Sequence, residues 1–332
     1  MATVIFFNTN GFSQKQYTGE TKETVTEIQS LIDQAGAKWT VGETLLSDKS
    51  WTQWKNYVGL TFEPINAPPV KDDLLSAEPP TTLDWRTAGG NYVTKIRHQG
   101  ECGSCWAFAM TAGLESYALL NQNIPGTDLD LSEQAMLSCS GTGSCNGGRL
   151  NASYLEKTGL PPEKFYPYTA TNGECSSLTE GWQNEAYKIG DSKSVWRKES
   201  SLKKALVTYG PLPTAMMVYE DLMHYKSGIY SHVTGEKLGG HAVLLIGYND
   251  TEEYFIVKNS WSTNWGEEGY FKIAYSEVKY PIMFGMSTIA YTNKDGDSII
   301  PISDKMKQLN KAIGGKEIQL RTMPIFEPLL DW

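Results

Sequence analysis

No stretch of the sequence approaches the roughly 18 consecutive apolar residues that a membrane-crossing helix requires. The opening MATVIFFNTN has neither a basic leader nor an apolar run long enough for a secretion signal. From that start we expect a chain that either lacks its signal or is not exported. Positive charge is also in short supply: 29 Lys and Arg stand against 38 Asp and Glu, a net charge of −9. Such a balance argues against nucleic acid or an anionic membrane as a partner. Histidine is scarcer still, with only His98, His224, His232 and His241. The five cysteines, Cys102, Cys105, Cys139, Cys145 and Cys175, all fall between residues 100 and 180, so at least one thiol is left unpaired. No internal repeat or low-complexity segment is present.

What is there is ordinary globular sequence, 40% hydrophobic and 20% charged, and 332 residues suffice for two cores or for one catalytic body with appended segments. Residues 20–36 place Val25, Ile28, Leu31, Ile32 and Ala35 at helical spacing, with Gly36 as a stop. Ser50 and Gln53 form a capping-box pattern opening a second helix that Gly59 would end. From Phe62 to Trp85 five prolines interrupt a polar stretch, which predicts an extended linker or a segment lying over another surface. Beyond it come helical runs, CWAFAMTAGLESYALL and SLKKALVTYG, and then strand-like runs, HAVLLIGY, EEYFIVKNSW and EGYFKIAY. Helices first and strands second predict an α+β body in two subdomains. Residues beyond about 293 carry a short helical pattern, SDKMKQLNKAIGG, and no motif.

The run QGECGSCWAF at 99–108 poses the chemical question. A redox C-x-x-C belongs at a strand-to-helix turn of a compact βαβ unit, and none precedes Gln99. A structural zinc site needs four ligands, and Cys139 and Cys145 are six apart with no histidine near. The nucleophile reading needs a thiol of lowered pKa, and Cys105 sits where a helical run begins, at the positive end of the helix dipole. It also needs a base and a group to orient that base. His241 follows two glycines at the start of an apolar strand, 136 residues past Cys105, and Asn259 lies 154 residues past it. Taken singly, such a histidine is ordinarily structural, such an asparagine a turn former, and Trp261 and Trp265 core aromatics.

Together the motifs resemble the papain family of cysteine peptidases. They are DWR at 84–86, QGECGSCWAF, LSEQ at 131–134, CNGG at 145–148, YPY at 166–168, GGHAV at 239–243 and NSWSTNWGEEGYFKI at 259–273. The resemblance covers roughly Leu83 to Tyr291. It implies a papain-like fold, a helical subdomain facing a β-barrel-like one, preceded by an N-terminal propeptide. It further implies Cys105 as nucleophile, His241 as the imidazole sharing its proton, Asn259 as the group orienting that imidazole, and Gln99 with the Cys105 N–H as the oxyanion hole. Trp261 would shield the Asn259–His241 hydrogen bond. The family pattern implies disulfides Cys102–Cys145 and Cys139–Cys175. A further disulfide common in the family has no cysteines here, and Phe284 is expected to fill its place.

By the same resemblance Gly147 and Gly148 would pair with an extended substrate. Leu150, Ala215, Gly239 and Ile289 would wall the pocket for the residue before the scissile one, which favours apolar side chains there. The run YEDLMHYKSGIYSHVTGEKLGGHAV is closer to the cathepsin B branch, yet no histidine-bearing insertion separates CNGG from YPY, so an open-cleft endopeptidase is expected. The expected organisation is a propeptide over residues 1–80 whose proline-rich part crosses the cleft, a catalytic domain over 81–291, and an extension of unread role over 292–332, with maturation between Ser76 and Leu83 at acid pH. The partners implied are polypeptide substrates and the chain's own propeptide; no cofactor or metal is called for, and a monomer in a secreted, lysosomal or vacuole-like setting is expected. A peptide ligase using the same thioester, and a catalytically idle binding or storage protein, are the competing readings. Asn151 and Asn249 head glycosylation sequons.

Overall fold

The computed structural model describes residues 25–70 and 79–294. The helical pattern expected beyond residue 294 and the start of the expected maturation segment, residues 76–78, fall outside those residues. An N-terminal portion supplies α1 (Val25–Ala35), β1 (Lys38–Val41) and α2 (Trp51–Lys55). The body follows with β2 (Thr82–Asp84), α3 (Cys105–Gln122), α4 (Glu133–Cys139), β3 (Gly143–Ser144), β4 (Gly147–Gly148) and α5 (Ser153–Lys157). Its second half holds β5 (Asp191–Val195), α6 (Glu199–Tyr209), β6 (Leu212–Tyr219), β7 (Tyr225–Tyr230), β8 (Lys237–Asn249), β9 (Tyr254–Lys258), β10 (Tyr270–Ala274) and β11 (Thr288–Thr292).

The expected papain-like α+β architecture is what forms. A seven-stranded sheet runs β1-β7-β10-β9-β8-β2, with β6 also on β8, and β11 pairs β5 separately. The 13-residue β8 is long enough to pair β6 along Lys237–Leu245 and β9 along Leu244–Asn249. It is therefore buried along nearly its whole length, as its near-continuous apolar run requires. Helix α3 is buried almost all round and packs against β6, β8 and α4, so it joins the helical half to the sheet. Phe284 is fully buried with its ring 5.4 Å from Phe255.

The N-terminal portion is built onto the body rather than beside it. Strand β1 pairs antiparallel with β7, Trp39 opposite Gly228, and the Trp39 indole donates to the Ser231 carbonyl at 2.9 Å. The Ser50–Gln53 capping box forms as read: Gln53 N donates to Ser50 Oγ at 3.3 Å and Ser50 N to Gln53 Oε1 at 2.9 Å. Helix α2 stops at Lys55, however, so Gly59 is not its terminator. Gly59 instead lies in an extended strap over residues 57–62. This differs from the expectation that the proline-rich part would cross the cleft: the crossing comes just before the prolines, at the one residue small enough to pass, and Pro68–Val70 lie against β5.

Candidate active site

Two disulfides and one free thiol shape the loop ahead of α3. Cys102 and Cys145 are bonded, as are Cys139 and Cys175, and Cys105 is free and buried. The first bridge, with the Gly103 N–H on the Cys145 carbonyl at 2.8 Å, holds the 99–104 loop against the CNGG turn. Cys105 is then the first residue of α3, after Ser104 as N-cap. Tyr168 of the YPY motif bridges the loop's two ends, donating to the Gln99 carbonyl at 2.8 Å and pairing with Ser104 Oγ at 2.6 Å.

Across the cleft, β8 carries His241 and the segment just after β9 carries Asn259. His241 Nε2 lies 2.8 Å from Asn259 Oδ1, and the Ser260 N–H donates to the same oxygen at 2.8 Å. That oxygen accepts, so the imidazole proton sits on Nε2 and Nδ1 is left as the bare lone pair. Nδ1 is buried and makes no hydrogen bond. The Trp261 ring stacks on His241 at 4.5 Å and 29°, and Trp265 meets Trp261 edge-on at 5.0 Å. Both tryptophans are fully buried, which keeps water from the His241–Asn259 bond. Gln99 is anchored by its own backbone N–H on the Ser260 carbonyl at 3.0 Å and by Ser260 Oγ on its side-chain oxygen at 2.7 Å. Its side-chain N–H is thereby turned toward the Cys102 carbonyl, 2.9 Å away, and the Tyr57 carbonyl, 3.4 Å away.

The strap occupies the centre of this cleft. The Trp261 indole also donates to the Tyr57 carbonyl, at 3.3 Å. Gly148 N donates to the Gly59 carbonyl at 2.8 Å, Thr61 N to the Gly148 carbonyl at 2.7 Å, and Leu60 N to the Gly240 carbonyl at 2.9 Å. Leu60 is thus a short strand held between the two walls. A Cβ on Gly148 would lie 2.5 Å from the Trp106 ring, so a side chain there would close the edge that the strap uses.

The electrostatics follow from this covering. Burial pushes the Cys105 thiol up, against backbone hydrogen bonds from Ala242, Gly59 and Trp106 that favour the thiolate. Burial pulls His241 down to about 4, against the Asn259 hydrogen bond. Burial thus works against both charges of a Cys105–His241 ion pair in this covered form.

Gly239, Leu150, Ala215 and Ile289 are the residues expected to wall the neighbouring pocket. Gly239 lies under Val58 of the strap, whose side chain is 3.2 Å from where its Cβ would be. Leu150, Ala215 and Ile289 are buried. Ala215 bridges Met286, and Ile289 pairs with Ser194. One group escaped the sequence reading altogether. Lys258, the residue before Asn259, is buried and donates to Thr94 Oγ1 at 2.9 Å; Thr94 bonds the buried Glu115 of α3, which also accepts from Leu131 N at 3.0 Å. Burial pushes the Glu115 carboxyl up and the Lys258 ammonium down, each restrained by the other's charge. The only signal in sequence was a lysine closing an otherwise apolar strand run, FIVK.

Known proteins are similar to this chain in sequence and in fold. Ananain of Ananas comosus is 33% identical over 264 residues, covering 76% of this chain and 74% of its own. The solved structure titled proCathepsin B S9 from Trypanosoma congolense superposes with a TM-score of 0.73 at 23% identity, over 82% of this chain and 99% of that one. Digestive procathepsin L2 proteinase of Tenebrio molitor larval midgut gives 0.69 at 30% identity, over 81% and 88%. The family model described as papain family cysteine protease matches residues 79–290, the span that holds Cys105, His241 and Asn259 and begins where the strap has left the cleft. By that match the chain belongs to the papain family of cysteine proteases.

Proposed function

We propose that the chain is the precursor of an open-cleft cysteine endopeptidase, held inactive by its own first 80 or so residues. The observation that carries this is the strap: Tyr57–Thr61 takes up the Gln99 and Trp261 donors and both cleft walls, leaving no room for a substrate. Removing it readmits water, and the Cys105 proton can then pass to His241 Nδ1, the nitrogen that Asn259 leaves bare. The thiolate attacks the carbonyl carbon of a bound peptide, forming the C–S bond while the oxyanion takes hydrogen bonds from Gln99 Nε2 and the Cys105 N–H. His241 gives its proton to the leaving nitrogen as the C–N bond breaks. Water then adds to the thioester with His241 as base, releasing the acid and restoring the thiol.

Asn259 acts in this scheme as the orienting group, and Trp261 as its cover. Gly147 and Gly148 present the edge that a substrate strand joins, as Leu60 does. Leu150, Ala215, Gly239 and Ile289 line an apolar site for the residue preceding the scissile one. The catalytic part runs over about 81–291, with the segment from 292 to 332 as an extension. A secreted or lysosome-like compartment is the setting proposed, and ion pairs such as Lys49 with Glu101 at 2.7 Å help tie the N-terminal portion to the body. Incubating the purified chain and its Cys105→Ala variant at pH 4 tests the reading. The unaltered chain should shorten by about 80 residues and gain hydrolysis of peptides with an apolar residue before the cleaved one. Persistence of full-length, inactive protein would overturn it, as would spontaneous shortening of Cys105→Ala without added protease.

A further inference from the structure

The strap does not end at the cleft. Seven residues past Thr61, Pro68 reaches the free edge of β5, the strand whose other edge pairs β11. Ser194 N donates to the Pro68 carbonyl at 2.9 Å, Val70 N donates to the Ser194 carbonyl at 2.8 Å, and Ser194 Oγ donates to the Ala67 carbonyl at 3.2 Å. Val70 is 5% exposed, so the segment buries an apolar side chain as well as pairing its backbone. Pro69 is the bridging residue, the one position in this arrangement whose N–H is not used, so proline costs no hydrogen bond there. On the partner strand, Ser194 sits opposite Ile289, which we place in the apolar substrate pocket. The β5 edge is therefore one strand beyond that pocket, on a path one continuous segment already follows. Beside it, Trp196 is 62% exposed.

We propose that in the processed enzyme this β5 edge is a secondary docking site for polypeptide substrates, taking an extended stretch about ten residues upstream of the scissile bond that runs opposite to the strap. The proposal rests on the precursor reading above, since only loss of the N-terminal portion frees the edge. Once freed, Ser194 offers an N–H and a C=O that the sheet does not use, the usual template for an added strand. The upstream side is the side concerned because the strap reaches β5 after passing Leu60, which lies between the walls of the apolar pocket, and not from the Tyr57 end. A substrate whose cleaved residue takes the place of Gly59 and whose preceding residue takes that of Leu60 runs opposite to the strap, so it joins β5 antiparallel, with one non-proline residue offering both its N–H and its C=O to Ser194.

The test compares three substrates of enzyme obtained by processing the full chain. One is a short peptide with an apolar residue before the cleaved one; the second adds a ten-residue upstream extension that begins Ala-Val-Ser; the third is the second with that valine's amide N-methylated. The extension should lower KM about five- to twentyfold with kcat unchanged, and N-methylation should remove most of that gain. Ser194→Pro should erase the gain while leaving the short peptide's kcat/KM unaltered. Equal kcat/KM for all three substrates would overturn the proposal. If Ser194→Pro impairs the short peptide too, the N-methylated pair on the unaltered enzyme decides. Failure to cleave even the short peptide would count against the peptidase reading instead. Anisotropy of the same labelled peptides on Cys105→Ala, processed with added protease, would then decide the docking proposal: tighter binding of the extended peptide supports it, and equal binding of all three overturns it.

Discussion

A β-carbon on Gly59 would stand 2.1 Å from the carbonyl oxygen of Gly103. The two glycines belong to the covering strap and to the loop that presents Cys105, and the backbones touch because neither has a side chain. No rotamer change relieves such a contact, since the obstructing atom is main chain.

Gly59→Ala should therefore lift the strap from the thiol. Overpacking of this kind costs about 1–3 kcal/mol, so alkylation of Cys105 in the intact chain at pH 7.5 should quicken about tenfold. Mass spectrometry of the iodoacetamide-treated, full-length protein reads this directly. An unchanged rate would mean the strap passes the thiol less closely than described.

Asn259→Ala removes the acceptor that fixes His241 by its Nε2. A hydrogen bond to an imidazole that becomes charged during the reaction is worth about 1.5–3 kcal/mol. The processed variant should lose on the order of 10- to 100-fold in kcat with little change in KM, and Asn259→Asp should restore part of it by keeping an acceptor. Loss confined to KM would show that the asparagine shapes the substrate site instead.

Some of this is legible in the sequence and some is not. The helix beginning at Cys105, the Ser50–Gln53 cap and the His241 and Asn259 spacing are local or motif-borne, and local chemistry fixes them. Gly59 misleads because a glycine shortly after a helix looks the same whether it ends the helix or threads a cleft; the contact that decides, with Gly103, is between residues far apart in sequence. Strand β1 is four residues long, too short for alternation to register, and its edge is supplied by β7, nearly 190 residues away. Lys258 is ambiguous for a different reason: a lysine closing an apolar strand is equally consistent with an exposed end and with a buried partner for Glu115.

Glu163 gives a pH dependence whose sign can be stated. Its Oε1 accepts from Tyr168 N at 2.6 Å, while Oε2 is buried without a partner. Burial pushes this carboxyl from 4.5 to about 7, and Asp130 adds to the effect. A folded-state value above the unfolded one means stability that is fully present below about pH 4.5 and is lost as the pH rises through 7. Glu163→Gln should raise Tm at pH 8 and leave it unchanged at pH 4.5, measured by thermal melts of the Cys105→Ala chain. Equal effects at both pH values would refute the assignment.

Conversion should depend on Glu101, which accepts from Lys49 at 2.7 Å and from Gln53 at 3.2 Å across the junction of N-terminal portion and body. The pair is partly exposed, so its effect is modest. Glu101→Gln should speed conversion by about two- to fivefold. A variant that converts at the rate of the unaltered chain would show that this pair does not hold the N-terminal portion down.

The central claim is that Cys105 is the nucleophile and that the strap alone keeps it idle. An epoxide thiol inhibitor, applied to the intact and the processed chain at pH 6 and followed by peptide mapping, tests it most directly. The account predicts one adduct per processed molecule, on Cys105, with loss of all activity, and almost none on the intact chain. Equal labelling of both forms, or full inactivation with the adduct on another residue, would contradict it.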